Sequence, residues 1–344
     1  MPSGEWTSGK RASSSLIHAF RLLFTEPLTH RCELMDAIAP NGPDTRKGPV
    51  LVALDGSGLS ERALPIAIEL ATRLDTELAS VTVLRASFSD EELGEDDALA
   101  GMSKVLVAHG APGTSSIDVL SGDPAEEIVW FSQSRGCRLI VMATHARTGL
   151  ARGLLGSVTD RVIRSSRLPV LVVSPEDEDV GSPGHGSTTE IGSFILGLDG
   201  SELAERCLQV VAPIAVALKA EVRLVMVLKP RVGQTPTLDQ PTDEEYLEAQ
   251  RYLGRITDTL RDGGVAAECQ VLEGYVDEVL VKLGDERPGS VITLGTRGLS
   301  GLKRWTVGSV TDKVTRTSHR PVLVIPPRLE ADEAAWAPAR SRSV

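Results

Sequence analysis

Aromatic residues make up only 3% of this 344-residue chain, so a run of stacking rings for single-stranded nucleic acid is not expected. Its four cysteines, Cys32, Cys137, Cys207 and Cys269, form no Cys-x-x-Cys pair. That spacing excludes a disulfide framework and a cysteine zinc site, and it points to a reducing, cytoplasmic setting. No apolar run approaches the ~20 residues of a membrane span. Positive charge is also in deficit, with a net charge of −11. Broad contact with nucleic acid or an anionic membrane is therefore not expected.

The length fits two domains of ordinary size, and the chain contains two copies of one pattern. In the second copy the apolar run Ser290-Val291-Ile292-Thr293-Leu294 leads into Gly295-Thr296-Arg297-Gly298. Nine residues later come Gly308-Ser309-Val310-Thr311-Asp312, opening an amphipathic segment. In the first copy Ala143-Thr144-His145-Ala146 is followed by Gly156-Ser157-Val158-Thr159-Asp160. Both copies end in Pro-Val-Leu-Val, at Pro169 and Pro321. A buried strand, a glycine-bearing loop and a helix start together suit a phosphate. Glycine lets a backbone turn sharply and lets a ligand come close, and the helix start offers unpaired N–H groups and partial positive charge.

Each copy also begins with an apolar strand that ends in Asp-Gly-Ser, at Asp55-Gly56-Ser57 and Asp199-Gly200-Ser201. Between these landmarks, continuous apolar runs alternate with amphipathic stretches as βαβαβαβαβ, the signature of a parallel sheet with helices on both faces. The second copy has a longer connection at Pro230–Asp243, rich in Pro, Gln and Thr. Residues 1–47 read as an appendage, unstructured or carrying a short helix. The boundaries expected are domain one at 48–175, an acidic and Gly/Ser/Pro-rich linker at 176–189, domain two at 190–327 and an unstructured tail at 328–344.

On these residues the chain resembles the universal stress protein family, with two UspA-type domains in one polypeptide. The resemblance covers residues 48–175 and 190–327. It implies two doubly wound five-stranded α/β domains, flavodoxin-like or Rossmann-like, with strand order 3-2-1-4-5. It also implies pairing of domains and, in many members, ATP binding, with or without magnesium or manganese. Some members lack the glycine pattern and do not bind nucleotide. Carried over residue by residue, Asp199 and Val227 hold the adenosine part, while Gly295, Gly298, Gly308, Ser309, Val310 and Thr311 hold phosphates. The matching first-domain positions are Asp55, Val83, Gly156, Ser157, Val158 and Thr159.

Each residue also has a plainer reading. Val83 and Val227 are core valines, Asp55 and Asp199 stabilise a turn, Ser157 and Ser309 cap a helix, and Gly298 is a turn glycine. In domain one Ala143 and Ala146 replace both leading glycines. Alanine resists positive φ, so the C-terminal site is expected to be the tighter one. His145 and Arg297 occupy matching loop positions, and Arg147, Arg152, Lys303 and Arg304 are loop cations that either screen phosphate or face solvent. Trp305 packs under the loop or covers a ligand.

No Gly-x-Ser-x-Gly elbow, His-Glu-x-x-His or P-loop is present. The sequence thus favours an ATP-binding stress protein that regulates or binds partners, with little or no hydrolysis. A nucleotide-independent interaction module and a slow ATP hydrolase are the alternatives. Strand five of each copy, Val170–Val173 and Val322–Ile325, is an apolar edge. An unprotected apolar edge finds a partner, so the two domains are expected to pair there, with pairing of whole chains left open.

Overall fold

The computed structural model describes residues 48–84, 94–144, 155–174, 190–230, 241–296 and 307–327. The proposed appendage, linker and tail lie outside these ranges. In the first half the strands are β1 (Val50–Ala53), β2 (Leu78–Leu84), β3 (Ser116–Ser121), β4 (Leu139–Ala143) and β5 (Val170–Val173). Its helices are α1 (Leu64–Arg73), α2 (Glu95–Ala108), α3 (Pro124–Ser134) and α4 (Ser157–Ser165). The second half repeats this with β6 (Ser193–Gly197), β7 (Glu221–Leu228), β8 (Ala267–Glu273), β9 (Ser290–Gly295) and β10 (Val322–Ile325). Its helices are α5 (Glu202–Leu218), α6 (Asp243–Asp262), α7 (Val276–Asp285) and α8 (Ser309–Thr317).

Each half has the expected order, and the two halves form one ten-stranded sheet, β3-β2-β1-β4-β5-β10-β9-β6-β7-β8. Within each half all pairing is parallel, and the junction between β5 and β10 is antiparallel. There Leu171 pairs with Leu323, flanked by Val172 with Val322 and Val170 with Val324. The two apolar edges identified in the sequence cover one another, which removes two aggregation-prone edges at once.

The central strands are apolar on both faces because both faces are covered. Val50, Leu51, Val52, Ile140 and Val141 are all fully buried. Side chains alternate across the sheet, so Val50 and Val52 join one core layer and Leu51 the other. One layer packs under α1, α2, α5 and α6, the other under α3, α4, α7 and α8. Both layers run through the β5–β10 junction, with Phe194, Leu171 and Leu323 in one and Val172 and Val324 in the other.

A second tie between the halves lies at the start of domain two. Both carboxylate oxygens of Glu69 on α1 accept the Ile191 N–H at 3.2 Å, and Arg73 pairs with Glu190 at 2.9 Å. The Ile191 side chain is buried, so this acceptor spares its amide from lying unpaired.

Ser60–Ala63 is a turn of 3-10 helix, followed by α1 with Pro65 in its first turn. The Ser60 hydroxyl is drawn away, donating to the Ser57 carbonyl at 2.8 Å and accepting the Asp55 N–H at 3.2 Å.

Candidate functional site

Strand order reverses between β1 and β4, and again between β6 and β9. These two pairs are direct neighbours, Val50 against Leu139 and Ser193 against Ser290. The chain leaves one strand of each pair in opposite directions, and the carboxyl ends at such a point are where open α/β sheets place ligands. Asp55 follows β1, and Asp199 follows β6.

The two Asp-Gly-Ser turns share a geometry. Gly56 and Gly200 have φ of 78° and 79°, a left-handed conformation that costs glycine nothing. The Asp55 carboxylate accepts the Ser57 N–H at 3.0 Å and the Ser57 hydroxyl at 2.6 Å. Asp199 accepts the Ser201 N–H at 3.0 Å. The turn role is therefore present in both copies, and in both it fixes the carboxylate at the end of the strand. In domain two, Ser201 then caps α5 by accepting the Ala204 N–H at 3.2 Å.

Val83 and Val227 sit at the same level on the neighbouring strand. Ala53 pairs with Val81 and Gly197 with Val225; two residues further on, Asp55 reaches the level of Val83 and Asp199 that of Val227. Neither valine is a fully buried core residue. Both are partly exposed at the edge of a core layer.

The phosphate element is built alike in both halves. The last strand residues, Ala143 and Gly295, lie within β4 and β9. Neither is among the described residues with positive φ. The expected strain at Ala143 is therefore absent, since an extended backbone accepts alanine freely. Gly298 and Ala146 lie outside the described residues, as do His145, Arg147, Arg152, Arg297, Lys303, Arg304 and Trp305.

Beyond the loop, the Gly308 N–H donates to the Thr296 carbonyl. The Thr311 hydroxyl, on a buried residue, donates to the Gly295 carbonyl at 2.7 Å. Thr159 makes the same bond to Ala143 at 3.3 Å. These bonds pin each helix start to the end of the strand before it. The Thr159 and Thr311 hydroxyls thus fix the frame, and the groups left at the opening are the exposed serines and the first backbone amides.

Ser157 and Ser309 are not the caps. Gly156 and Gly308 hold that position, with no side-chain bond to the first turn. Glycine has no side chain to cover the helix amides, so among the described residues no side chain caps the start of α4 or of α8, a place that suits an anion. Ser157 and Ser309, the first helical residues, are exposed there, and Val158 and Val310 are half-buried beside them.

Domain two has a polar group behind its aspartate that sequence reading missed. The Tyr252 hydroxyl, from α6, donates to Glu205 of α5 at 2.9 Å. Burial raises the Tyr252 phenol well above its ordinary range, and the charges of Glu205 and Asp199 add to this. Burial also pushes the Cys207 thiol up to about 12, again helped by Asp199. Both groups stay protonated at neutral pH, and the negative charge near Asp199 comes from the carboxylates of Asp199 and Glu205, which suit a donor such as a ribose hydroxyl or an adenine amino group. No spacing rule links Glu205 to Tyr252; only the packing of α6 brings them together.

Among the described residues no cluster of His, Cys, Asp and Glu could hold a metal ion, and no helix is long and apolar enough to cross a membrane.

Comparison with known proteins agrees with this architecture. The universal stress protein family matches residues 48–174 and again 191–326. A universal stress protein of Methanocaldococcus jannaschii is 34% identical over 154 residues, covering 41% of this chain and 89% of that protein. One from Mycobacterium tuberculosis is 33% identical over 143 residues, 38% of this chain and 46% of that protein, so the matched region spans about half of this longer relative. Among solved structures, a universal stress protein from Archaeoglobus fulgidus aligns over 83% of this chain and 100% of that chain. Its TM-score is 0.61 at 17% identity, which speaks to the fold alone. The chain belongs to the universal stress protein family, as two tandem domains in one polypeptide.

Proposed function

We propose that this chain binds an adenine nucleotide, ATP in the first instance, and acts as a nucleotide-responsive stress regulator or interaction partner. The observation that carries this reading is the open start of α8. Gly308 brings no side chain to cap its amides, and it stands at the strand-order reversal where β6 delivers Asp199. Backbone amides and Ser309 suit phosphates, Asp199 suits ribose hydroxyls or the adenine amino group, and the half-exposed Val227 suits an apolar base face. Gly295 and Gly298 complete this set, and magnesium or manganese would enter on the phosphates.

Domain one offers the same set in Asp55, Val83, Gly156, Ser157, Val158 and Thr159. With the backbone at Ala143 ordinary, an inequality between the sites would come from Ala146 against Gly298 and from the Tyr252–Glu205 pair beside Asp199. Hydrolysis is a minor activity in this reading, with turnover far below the roughly 10 per second typical of enzymes.

The test is calorimetric titration of ATP with magnesium into the full chain and into Asp199→Ala. A lost hydrogen bond to a charged group is expected to weaken domain-two binding about tenfold. Unchanged affinity would remove Asp199 from the site, and absence of binding to the native chain would remove the reading.

A further inference from the structure

The helices α4 and α8 that open at the two proposed phosphate sites are not independent. Val162, Ile163 and Val314 are buried in one core layer with Val170 and Val172 of β5 and Val322 and Val324 of β10. Val158 and Val310, in the first turns, pack against the same layer. These strands pair directly across the domain boundary, so the layer belongs to both domains.

The polar faces are matched as well. Asp160 takes a forked bond from Arg164, 2.8 Å from Nε and 2.9 Å from a terminal nitrogen. Asp312 takes the same fork from Arg316, at 2.9 Å for both. All four side chains are partly buried, with exposures of 24–35%. Arg164 is held above its ordinary range first by its bond to Asp160 and further by the charge of Asp312 across the boundary. Arg316 is held up first by its bond to Asp312, with a further contribution from Asp160, while Arg164 opposes it. Each arginine therefore bonds its own aspartate directly and feels the charge of the other aspartate at longer range across the junction.

We propose that α4 and α8 respond as one unit, so that a nucleotide phosphate held at one helix start weakens the hold of the other. The regulation rests on the nucleotide reading given above. Its sign follows from charge. Asp312 is the fourth residue of α8, about one turn from Ser309. Phosphate arriving at the helix start adds negative charge beside that carboxylate, and the two anions together draw on Arg316 and Arg164. Arg164 is then less available to Asp160, whose charge is left less compensated beside the other phosphate site. A close-packed layer shared by both helices transmits small shifts and does not absorb them.

Two measurements on the full chain test this, one of which needs no ligand. Asp160→Asn with Arg164→Gln lies wholly in α4, and hydrogen exchange at the hydrogen-bonded amides of α8, from Asp312 onward, is expected to quicken severalfold. Asp160→Arg with Arg164→Asp keeps an ion pair inside α4 but reverses the charges facing α8. It is expected to disturb α8 as well, which a purely local role would not do. Unchanged exchange in α8 for both variants overturns the coupling.

In the second measurement Gly308→Val closes the α8 site with a neutral side chain. Its backbone, at φ −61° and ψ 149°, accepts valine. ATP is then expected to bind the remaining site at least about fivefold more tightly than at the second binding step of the native chain. The same affinity in both cases overturns the coupling. If the native chain takes up no ATP, the nucleotide reading falls and hydrogen exchange alone decides whether the helices act as one.

Discussion

At the scale of single residues, two polar groups, one fully and one partly buried, set measurable stability effects. Thr293 is fully buried in β9, and its hydroxyl finds no partner. The first half has Val141 at the equivalent place, with Leu171 beside it as Leu323 is beside Thr293. An unpaired buried hydroxyl costs about 1 kcal/mol or more. Thr293→Val should therefore stabilise the chain by about 1 kcal/mol in urea unfolding, and a loss of stability would contradict the assignment.

Glu69 gives a pH dependence. Burial raises its carboxyl from 4.5 to about 7, opposed by the Ile191 amide and Arg73, while the charge of Glu190 adds to the rise. Between those values the folded chain holds a proton that the unfolded chain has released. The contribution of Glu69 is thus most favourable below pH 4.5 and is lost as pH climbs toward 7. The groups acting on it are Arg73 from its own helix and Glu190 from the segment ahead of β6; α5 has no Asp, Glu, Lys, Arg or His from Cys207 to Leu218. Unfolding midpoints at pH 5 and pH 8 should fall less for Glu69→Gln than for the native chain. An equal fall in both would show that Glu69 does not titrate in this range.

At the scale of elements, the caps differ between the repeats. Asp123 caps α3 by accepting the Ala125 and Glu126 N–H groups at 3.1 Å. It also pairs with Arg161 of α4 at 2.7 Å, which holds its carboxyl below the ordinary range. In the second half Tyr275 stands at the corresponding position without a side-chain cap, and Lys313 reaches Asp277 at 3.3 Å. Asp123→Ala should cost about 1 kcal/mol by loss of the cap, read in urea unfolding, whereas Tyr275→Ala should cost nothing through capping.

The strands were legible in the sequence because a parallel strand covered on both faces must be apolar throughout, as in Val50–Ala53 and Val170–Val173. The sheet junction was legible for the same reason, since those apolar edges need cover. What escaped were features fixed by packing between distant segments. Glu69 meets Ile191 only because the second domain begins under α1, and Tyr252 meets Glu205 only where α6 crosses α5. The positive φ expected at Gly295 failed because the residue remains within its strand. Its place in the pattern gave no sign of where the strand stops.

At the scale of the whole molecule, one sheet and two shared core layers make the halves a unit. Cutting the chain at an engineered protease site between residues 176 and 189 should leave fragments that co-elute at the size of the intact chain. Two separated monomers would contradict the shared core. The same junction occupies the fifth strand of both domains, so any pairing of whole chains must use another surface.

The proposed nucleotide site at Asp199 and the start of α8 is tested most directly by mass spectrometry of small molecules released on denaturing the freshly purified full chain. An adenine nucleotide is expected in the released material, lost from the Gly308→Val chain if domain two holds it. A native chain that releases none, and takes none up from millimolar ATP with magnesium, would contradict it.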